Sequence, residues 1–288
     1  MKKSLLLLTL STVLLFTLNS CEEDNLIAGA STNTGSTTNN PTTGTNSGST
    51  STKCYIKEII EIEDGETYKN KLSYNTKNLL TTSDQDGALS TYEYDANNRV
   101  TKLTQVDGQG VETYTYTYDA KGNMTDIKYA AQNTPITLFV TEYKLITNAS
   151  GQISQITAVT EDGNIDFTIE YDKNNIKKLI ASANGEKSTL IENLTFDTKT
   201  NVFANAGLVK ANIPFIIIGA IFGENMTKFV NANNILTDKQ ISIFSPEALT
   251  TTYKYEYTKD NLPSKMTYLQ TDGKDKYEGN STFTYDCK

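Results

Sequence analysis

The sequence contains neither histidine nor tryptophan. The missing histidine excludes the Ser-His-Asp and Cys-His arrangements of nucleophilic enzymes, together with zinc and iron sites that depend on histidine ligands. The glycines fall singly in turns, so the phosphate-binding loop and the dinucleotide-binding glycine motif are absent as well. Carboxylates are the catalytic groups that remain. We therefore predict that the chain is not an enzyme, with no catalytic residue and no cofactor.

Basic residues are outnumbered. The chain has 26 Lys and Arg against 34 Asp and Glu, which gives a formal net charge of −8 and an isoelectric point near 4.8. No basic stripe is available to displace counterions from phosphates, so nucleic acid is excluded as a partner. A partial calcium-loop pattern at Asp84-Gln85-Asp86-Gly87 fails because Thr82 stands where the first ligand belongs. We predict no metal site.

Long apolar runs are also rare. The first, residues 5–16, follows Lys2 and Lys3 and is too short for an ordinary membrane span. A short apolar run behind a positive amino terminus is typical of an export signal. We therefore predict a signal peptide over residues 1–20.

The signal run ends in Leu18-Asn19-Ser20-Cys21. This tetrapeptide resembles the lipobox of bacterial lipoprotein precursors, with an aliphatic residue three positions before the cysteine and a small residue just before it. The resemblance implies cleavage before Cys21 and lipidation of Cys21 through a thioether and an amide, each acyl CH₂ adding about 0.8 kcal/mol of membrane affinity. The alternative is an ordinary secretory signal followed by a chance cysteine.

Three acidic residues, Glu22, Glu23 and Asp24, follow the cysteine. This cluster resembles the signal that sends lipoproteins of Bacteroidetes-type bacteria to the outer face of the outer membrane. The resemblance implies a lipid-anchored protein at the cell surface. The alternative is a group of solvated charges on a protein of the periplasmic face.

Residues 21–52 form the next segment, and from residue 25 it consists almost entirely of Ser, Thr, Asn and Gly. Such a composition buries too little apolar surface to offset the entropy of ordering. We predict a lipidated, disordered tether with a reach of roughly 30 Å. Residues 53–288 then form a single domain.

Two further cysteines, Cys54 and Cys287, stand at the two ends of this domain. In an oxidising compartment we predict that they form a disulfide. The bond would place the first and last strands side by side and favours near closure of the sheet. Two free thiols or a metal pair are the alternatives.

A repeat based on an aromatic-x-Tyr-Asp motif runs along the domain. Its copies are "YEYDANNRVTKL" from Tyr92, "YTYDAKGNMTDI" from Tyr116, "IEYDKNNIKKLI" from Ile169 and "LTFDTKTNVF" from Leu194. Weaker copies begin at Leu72, Tyr143, Tyr255 and Phe283. In the turn that follows each motif, we predict a left-handed residue at Asn98, Gly122 and Asn175. An apolar pair follows, such as Met124 and Ile127, which we place one beneath the turn and one at the start of the next strand.

Each repeat also carries a second turn of Asp-Gly or Asn-Gly type, as at Asp64-Gly65, Asp86-Gly87 and Asn184-Gly185. These pairs suit hairpins because Gly and Asn reach positive φ at little cost. Two turns per repeat mean two strands per repeat. We therefore predict an all-β fold: a long antiparallel meander of roughly 14 to 18 strands that forms a curved sheet, a half-barrel or a barrel.

The tyrosines of the repeat occupy alternate positions and so share one face of the sheet. They predict aromatic pairing between neighbouring strands. They also form a candidate ligand-contact ladder on the concave face. The six residues of this ladder are Tyr92, Tyr94, Tyr116, Tyr118, Tyr255 and Tyr257.

These motifs resemble the YD repeats of RHS-type proteins. Together with the lipobox and the tether they also resemble Bacteroidetes lipoproteins that carry a domain of unknown function with a porin-like curved sheet. The resemblance implies a large antiparallel sheet, soluble despite its barrel-like look, without an established activity. The long array and the terminal toxin of an RHS shell are missing, so toxin delivery does not carry over.

One insertion, residues 202–229, interrupts the repeat and contains an apolar run over residues 213–222. It predicts a short helix buried in the concavity of the sheet. The alternative is a mobile lid over a hydrophobic pocket, or a patch that enters the membrane.

Three functions remain. The leading prediction is a non-enzymatic binding or scaffolding module anchored at the outer membrane, with an envelope protein among its possible partners. The first alternative is a carrier of a glycan or a lipophilic ligand, although the lack of tryptophan weakens the glycan version. The second is a glycoside hydrolase with paired carboxylates such as Glu93 with Asp95 or Glu170 with Asp172.

Overall fold

The barrel is closed. A computed structural model describes residues 54–108, 110–133, 140–201, 203, 211–242 and 245–287. In these ranges sixteen antiparallel strands each pair with their neighbours in sequence, and β16 returns to pair with β1. The all-β meander is thereby confirmed, and the sheet closes instead of leaving a wet open face. The strands are β1 Cys54–Glu63, β2 Glu66–Tyr74, β3 Leu80–Gln85, β4 Ala88–Tyr94, β5 Val100–Val106, β6 Val111–Tyr118, β7 Met124–Gln132, β8 Val140–Thr147, β9 Ile153–Thr160, β10 Gly163–Asp172, β11 Asn175–Ala183, β12 Glu186–Thr200, β13 Asn233–Ser242, β14 Ser245–Tyr257, β15 Pro263–Thr271 and β16 Lys276–Cys287.

The seam between β1 and β16 carries the predicted disulfide. Cys54 lies directly opposite Cys287, and the two sulfurs are bonded across a sequence separation of 233 residues. The strand register continues from this pair to Glu63 opposite Gly279, with one bulge. The signal peptide, the lipidation residue Cys21 and the tether 21–52 lie outside the described residues.

The two ends of the barrel are built from different turns. At one end, which we call the Asx end, Asp119 Oδ1 accepts hydrogen bonds from the backbone N–H groups of Lys121 at 2.9 Å and Asn123 at 2.8 Å, and Gly122 takes φ +85°. The same turn is built on Asn75, Asp95, Asn148 and Thr258. The opposite end carries the hairpins of Asp-Gly and Asn-Gly type, and we call it the Asp-Gly end.

One turn at the Asx end differs from the prediction. Asn98 and Gly122 take positive φ as expected, but Asn175 does not. Asp172 pairs directly with Asn175 across a two-residue connection, so the left-handed residue there is Lys173, with φ +56°. Because this turn is shorter, the residue with positive φ lies two positions earlier in the sequence than predicted.

A bulge follows each Asx turn and explains the apolar pairs. Thr117 lies opposite Asp126 while Tyr118 lies opposite Met124, so Thr125 is the extra residue of the strand. A bulge restores both flanking side chains to one face. Met124 and Ile127 therefore both point inward and are buried at 1% and 0% exposure. The prediction that the first member lies beneath the turn was wrong, because both belong to the strand.

The insertion between β12 and β13 fills the barrel. Helix α1, Ile213–Phe222, is followed by the short 3-10 helix η1, Met226–Phe229. Every residue from Ile213 to Ile221 is buried, whichever side of the helix it occupies. A helix buried on all sides must be enclosed by the wall, which confirms the buried helix and not the lid. We call residues 211–231 the plug.

The plug runs through the barrel in both directions. Its helix leaves the Asx end and reaches Ser242 at the Asp-Gly end, where a Cβ on Gly223 would lie 3.1 Å from the Ser242 side chain. It returns to the Asx end, where the Asn231 side chain accepts a hydrogen bond from the backbone N–H of Ile176 at 2.5 Å. Among the described helices, none is long and apolar enough to cross a membrane.

Candidate functional site

Four of the six ladder tyrosines are occupied by contacts within the barrel. Tyr92 and Tyr116 are buried, and the hydroxyl of Tyr116 donates to the Ala211 carbonyl of the plug at 3.0 Å. The hydroxyls of Tyr94 and Tyr118 donate to backbone carbonyls of the preceding strands. Burial raises the pKa of Tyr118 to about 12, although Arg99 opposes the shift, so this hydroxyl stays protonated and keeps donating.

The remaining two ladder tyrosines lie together on β14. The rings of Tyr255 and Tyr257 stack with centroids 6.2 Å apart. The hydroxyl of Tyr257 donates to the Asp197 carboxylate and accepts from the Asn234 side chain at 3.2 Å. The structure therefore corrects the picture of an open tyrosine-lined concavity: the inner face is covered by the plug, and these tyrosines bind the protein's own atoms.

Polar inward-facing side chains gather instead at the Asp-Gly end. Ser83 donates a hydrogen bond to the Asn70 side chain at 2.7 Å, and both residues are buried. On the neighbouring hairpin, Gln105 donates to the Ser90 hydroxyl at 3.2 Å. At the Asx half of the same strands the inward residues are Leu80, Tyr92 and Leu103, which belong to the core. Along these strands the interior is thus apolar toward the Asx end and hydrogen-bonding toward the Asp-Gly end.

These polar residues line a cleft between the ends of strands β3, β4, β5 and β6. Its unfilled volume is about 360 Å³, open solvent at its mouth included. The lining is made by Ser83, Gln85, Ala88, Leu89, Ser90, Gln105, Val106, Asp107, Gly110 and Glu112. We call it the β3–β6 cleft.

Glu112 is the acidic group at the inner side of this cleft. Its carboxylate accepts hydrogen bonds from the hydroxyls of Tyr129 at 3.1 Å and Tyr114 at 3.4 Å. Burial raises the pKa of Glu112, and the nearby charge of Asp107 raises it further, whereas the hydrogen bonds lower it. Among the described residues no lysine or arginine forms an ion pair with Glu112.

A second acidic group lies where the plug meets β1. Burial raises the pKa of Glu224 to about 7, while Lys228 lowers it and Glu63 and Glu61 raise it. Burial likewise raises the pKa of Glu61. Glu61 and Lys228 both line a cavity between the plug and the wall, with an unfilled volume of about 320 Å³ when open solvent at its mouth is included. Within the described residues no group of three or more Asp, Glu, Cys or His could hold a metal ion.

A buried polar network fastens the plug to the wall. Asp238 is fully buried, and its carboxylate accepts from the Asn225 amide at 2.6 Å, the Gln240 amide at 2.9 Å and the Tyr253 hydroxyl at 3.0 Å. Burial raises the pKa of Asp238, and these hydrogen bonds oppose the shift. Because Asn225 belongs to the plug and the other two donors to the wall, we assign the network a structural role.

The carboxylate pairs considered for hydrolysis do not form a site. Glu93 is exposed on the outer face and pairs with Lys102 at 3.3 Å, whereas Asp95 is bound within its own turn by Arg99. Glu170 and Asp172 are both exposed. None of these four residues lines either described cavity.

The β3–β6 cleft was missed at the level of sequence, although a signal for it exists. Ser90 stands two positions before Tyr92, Gln105 two after Leu103, and Glu112 two before Tyr114. Each therefore continues an inward-facing row, where a polar residue is unexpected in a sealed core. The signal is visible only when rows from several repeats are compared at the same end of the barrel.

Comparison with known proteins supports the repeat. Residues 74–110 match the family model described as RHS Repeat, which confirms the repeat over that part of the chain. No curated protein matches the chain.

Solved structures with similarity to the chain include two porin-like proteins. The one from Bacteroides uniformis ATCC 8492 is 16% identical, with 80% of this chain and 98% of that chain covered and a TM-score of 0.46. The one from Bacteroides vulgatus ATCC 8482 is 13% identical, with coverages of 81% and 99% and a TM-score of 0.48. A third, TcdB2-TccC3-Cdc42, is 14% identical over 79% of this chain and 13% of that chain, with a TM-score of 0.35.

Proposed function

We propose that the chain is a non-enzymatic binding module of the cell envelope, and that its recognition surface is the Asp-Gly end of the barrel. Residues 1–20 serve as the export signal, residues 21–52 as a tether lipidated at Cys21, and residues 53–288 as the binding domain at the outer membrane. The observation that carries the proposal is the β3–β6 cleft, where hydrogen-bonding groups line a concave surface at the end of a barrel whose centre is occupied by the plug. Concave sites with a few convergent polar groups are the usual form of ligand sites.

The residues on the outer surface of the barrel favour a barrel that is surrounded by water. Outward positions of β6 and β14 carry exposed polar residues such as Thr115, Thr117, Lys254 and Glu256, while the tyrosines between them face inward. A strand that faces lipid shows the reverse pattern, with apolar residues outward. The lipid on Cys21 would then be the membrane attachment, with the barrel outside the bilayer.

A carrier of lipophilic ligands has less support, because α1 and the core tyrosines occupy the apolar interior. A carboxylate hydrolase has less support because the proposed carboxylate pairs lie on the outer face or in turns. The cavity between the plug and the wall is lined largely by apolar side chains, Tyr255 among them, but it has only about 10 Å³ of space for the centre of a water-sized sphere, too little for a lipophilic ligand. The binding module is therefore the function that the geometry favours.

The proposal has two tests. Mass spectrometry of the mature protein should find an acylated Cys21 at the amino terminus, and a protease added to intact cells should distinguish the cell surface from the periplasmic face. A thermal-shift screen with glycans, peptides and small polar molecules should find a ligand that stabilises the protein by about 2.7 kcal/mol at 100 times its Kd.

Matched variants connect any ligand to the site. Gln85→Leu in the cleft should abolish the stabilisation, whereas Glu93→Gln on the outer face of β4 should preserve it. A mature protein that starts at another residue, or a ligand whose binding survives Gln85→Leu and similar cleft substitutions, would count against the proposal.

A further inference from the structure

The described lining of the β3–β6 cleft carries negative charge without a compensating positive one. It includes the carboxyl groups of Asp107 and Glu112, and no lysine or arginine is among its described residues. Asp107 also accepts a hydrogen bond from the backbone N–H of Gly110 at 2.9 Å, which fixes its carboxylate at the rim. Two carboxylates in one partly desolvated cleft repel each other unless a cation joins them. The charge pattern therefore favours a cationic ligand and disfavours phosphate or carboxylate ligands.

Gln85 adds a buried group without a protein partner. Its side chain is only 5% exposed, and its Oε1 atom makes no hydrogen bond within the described part of the chain. Leaving a buried amide oxygen unpaired is unfavourable because the group loses its hydrogen bonds to water without gaining others. A ligand that donates a hydrogen bond at this point would remove that cost. Beside it, the Ser90 hydroxyl offers a further acceptor.

Part of the rim of the cleft is apolar. Ala88 shares the inward face of β4 with Ser90, and Leu89 and Val106, which lie opposite each other on β4 and β5 and are 40% and 42% exposed, flank the mouth on the outer face. Such a rim suits a short methylene chain, as the stems of long amphipathic side chains cover apolar surface while the charged head is solvated or paired. Among the described residues of the lining there is no aromatic ring on which a sugar could stack.

We propose that the β3–β6 cleft binds a primary ammonium group carried on a methylene chain, such as a lysine side chain or one end of a small diamine. The inference rests on the proposed binding function and names its ligand class. An ammonium group has three donors and one positive charge. The Gln85 amide oxygen and the Ser90 hydroxyl offer acceptors on the adjacent strands β3 and β4, and the Glu112 carboxylate on β6 supplies the opposite charge. The methylene chain then passes Ala88 and leaves the cleft at the mouth flanked by Leu89 and Val106.

The test is isothermal titration calorimetry on the full mature lipoprotein in detergent micelles. The probes are 1,4-diaminobutane and Nα-acetyl-lysine-methylamide, which distinguish a free diamine from a lysine side chain as the source of the ammonium. 1,4-Butanediol is the neutral control of matching length. We expect saturable binding with one site for at least one amine, and binding of the diol that is at least tenfold weaker.

The variants separate the cleft from general charge attraction. Glu112→Gln and Gln85→Leu should each weaken amine binding at least tenfold, whereas Glu93→Gln on the outer face should change it less than twofold. Circular dichroism and the thermal midpoint show whether each variant is folded. Asp107→Asn, at the rim, replaces Glu112→Gln if that variant fails to fold, and it too should weaken binding several-fold.

Three outcomes overturn the inference: no saturable amine binding to the wild-type protein, equal binding of the diol, or equal loss in Glu93→Gln. A ligand of another class whose binding is lost in Gln85→Leu would refute the ammonium assignment while the binding-module proposal stands. Failure of both the amines and the wider ligand screen would refute the two together.

Discussion

The hydroxyl of Tyr118, the last residue of β6, donates a hydrogen bond to the backbone carbonyl of Val100, 2.8 Å away at the start of β5. Four other tyrosines repeat this bond between adjacent strands: Tyr74 to Ile56, Tyr94 to Leu80, Tyr171 to Ile153 and Tyr285 to Pro263. The relationship explains why the second aromatic position of the repeat is so regularly tyrosine. The first position needs only apolar bulk, and Leu72, Ile169 and Phe283 also occupy it.

Removing one such hydroxyl should destabilise the barrel. We expect Tyr118→Phe to lower the free energy of unfolding by about 1 kcal/mol, because the Val100 carbonyl loses its bond in a partly buried position. Tyr277→Phe is the matched control, since Tyr277 is 46% exposed. Urea unfolding of the two variants measures the difference. Equal stability would show that water replaces the tyrosine without cost.

Reducing the disulfide should open the seam to unfolding. The bond between Cys54 and Cys287 spans 233 residues, for which the chain-entropy model assigns about 5 kcal/mol as an upper figure. We expect the denaturation midpoint in urea to fall sharply when a reductant is added. The double variant Cys54→Ser, Cys287→Ser should have the lower midpoint from the outset and should not respond to the reductant. An unchanged wild-type midpoint would contradict the prediction.

The plug depends on a close approach between its two arms. A Cβ on Gly219 would lie 2.5 Å from Cγ of Met226. We expect Gly219→Ala to destabilise the protein by about 1–3 kcal/mol through overpacking, in spite of the better helix propensity of alanine.

The double variant Gly219→Ala, Met226→Ala tests this cause. It should lose less stability than the two single variants summed, because the shortened side chain makes room for the new methyl group. Chemical denaturation of all three variants gives the coupling energy. Strict additivity would show that the two positions do not compete for space.

Glu224 should make stability fall as the solution becomes less acidic. Its pKa rises from 4.5 to about 7 in the folded protein, chiefly through burial. Between these values the folded chain holds a proton that the unfolded chain has released, so its contribution to stability is lost as pH rises through that window. We expect Glu224→Gln to match the wild type near pH 4, below both pKa values, and to exceed its free energy of unfolding by about 3 kcal/mol at pH 8.

A variant of Lys228 tests whether this residue limits the rise in the pKa of Glu224. Lys228 lowers the pKa of Glu224, so Lys228→Met should move the wild-type loss of stability to higher pH and enlarge it. Urea titrations at half-unit pH steps would resolve both profiles. A Glu224→Gln profile parallel to that of the wild type would exclude Glu224 as the responsible group.

Local sequence patterns predicted the strands well, because side-chain alternation and turn formation each depend on residues that are close together in the sequence. Alternation in the row Tyr114, Tyr116, Tyr118 specifies which side chains face inward, and the small set of residues tolerant of positive φ marks the turns. The buried helix could also be predicted, because an apolar run of ten residues such as 213–222 is too short to span a membrane and is most stable when it is buried in the core. Closure of the barrel was harder to predict, because it depends on the pairing of β1 with β16, which are far apart in the sequence. The evidence for it in the sequence was the pair of cysteines at the two ends of the domain.

The cleft could not be predicted in the same way because its residues come from separate repeats. Ser83, Ser90, Gln105 and Glu112 are ordinary polar residues when each is seen within its own strand. Only lateral pairing of the strands brings them to one end of the barrel. The contacts of the six ladder tyrosines could not be predicted for a related reason. Sequence spacing indicates which face of the sheet a side chain occupies, but it does not indicate that a distant segment, the plug, covers that face.

The first strand begins and the last strand ends at the Asx end, beside the disulfide. Whatever precedes Cys54 therefore enters from the pole opposite the cleft. With Cys21 acylated as proposed, the tether would join the barrel at the Asx end, and strands of about nine residues at ~3.3 Å per residue would place the cleft about 20 Å or more from that attachment point. The acidic cleft would then lie at the pole away from the tether, where the attachment leaves it accessible to neighbouring molecules.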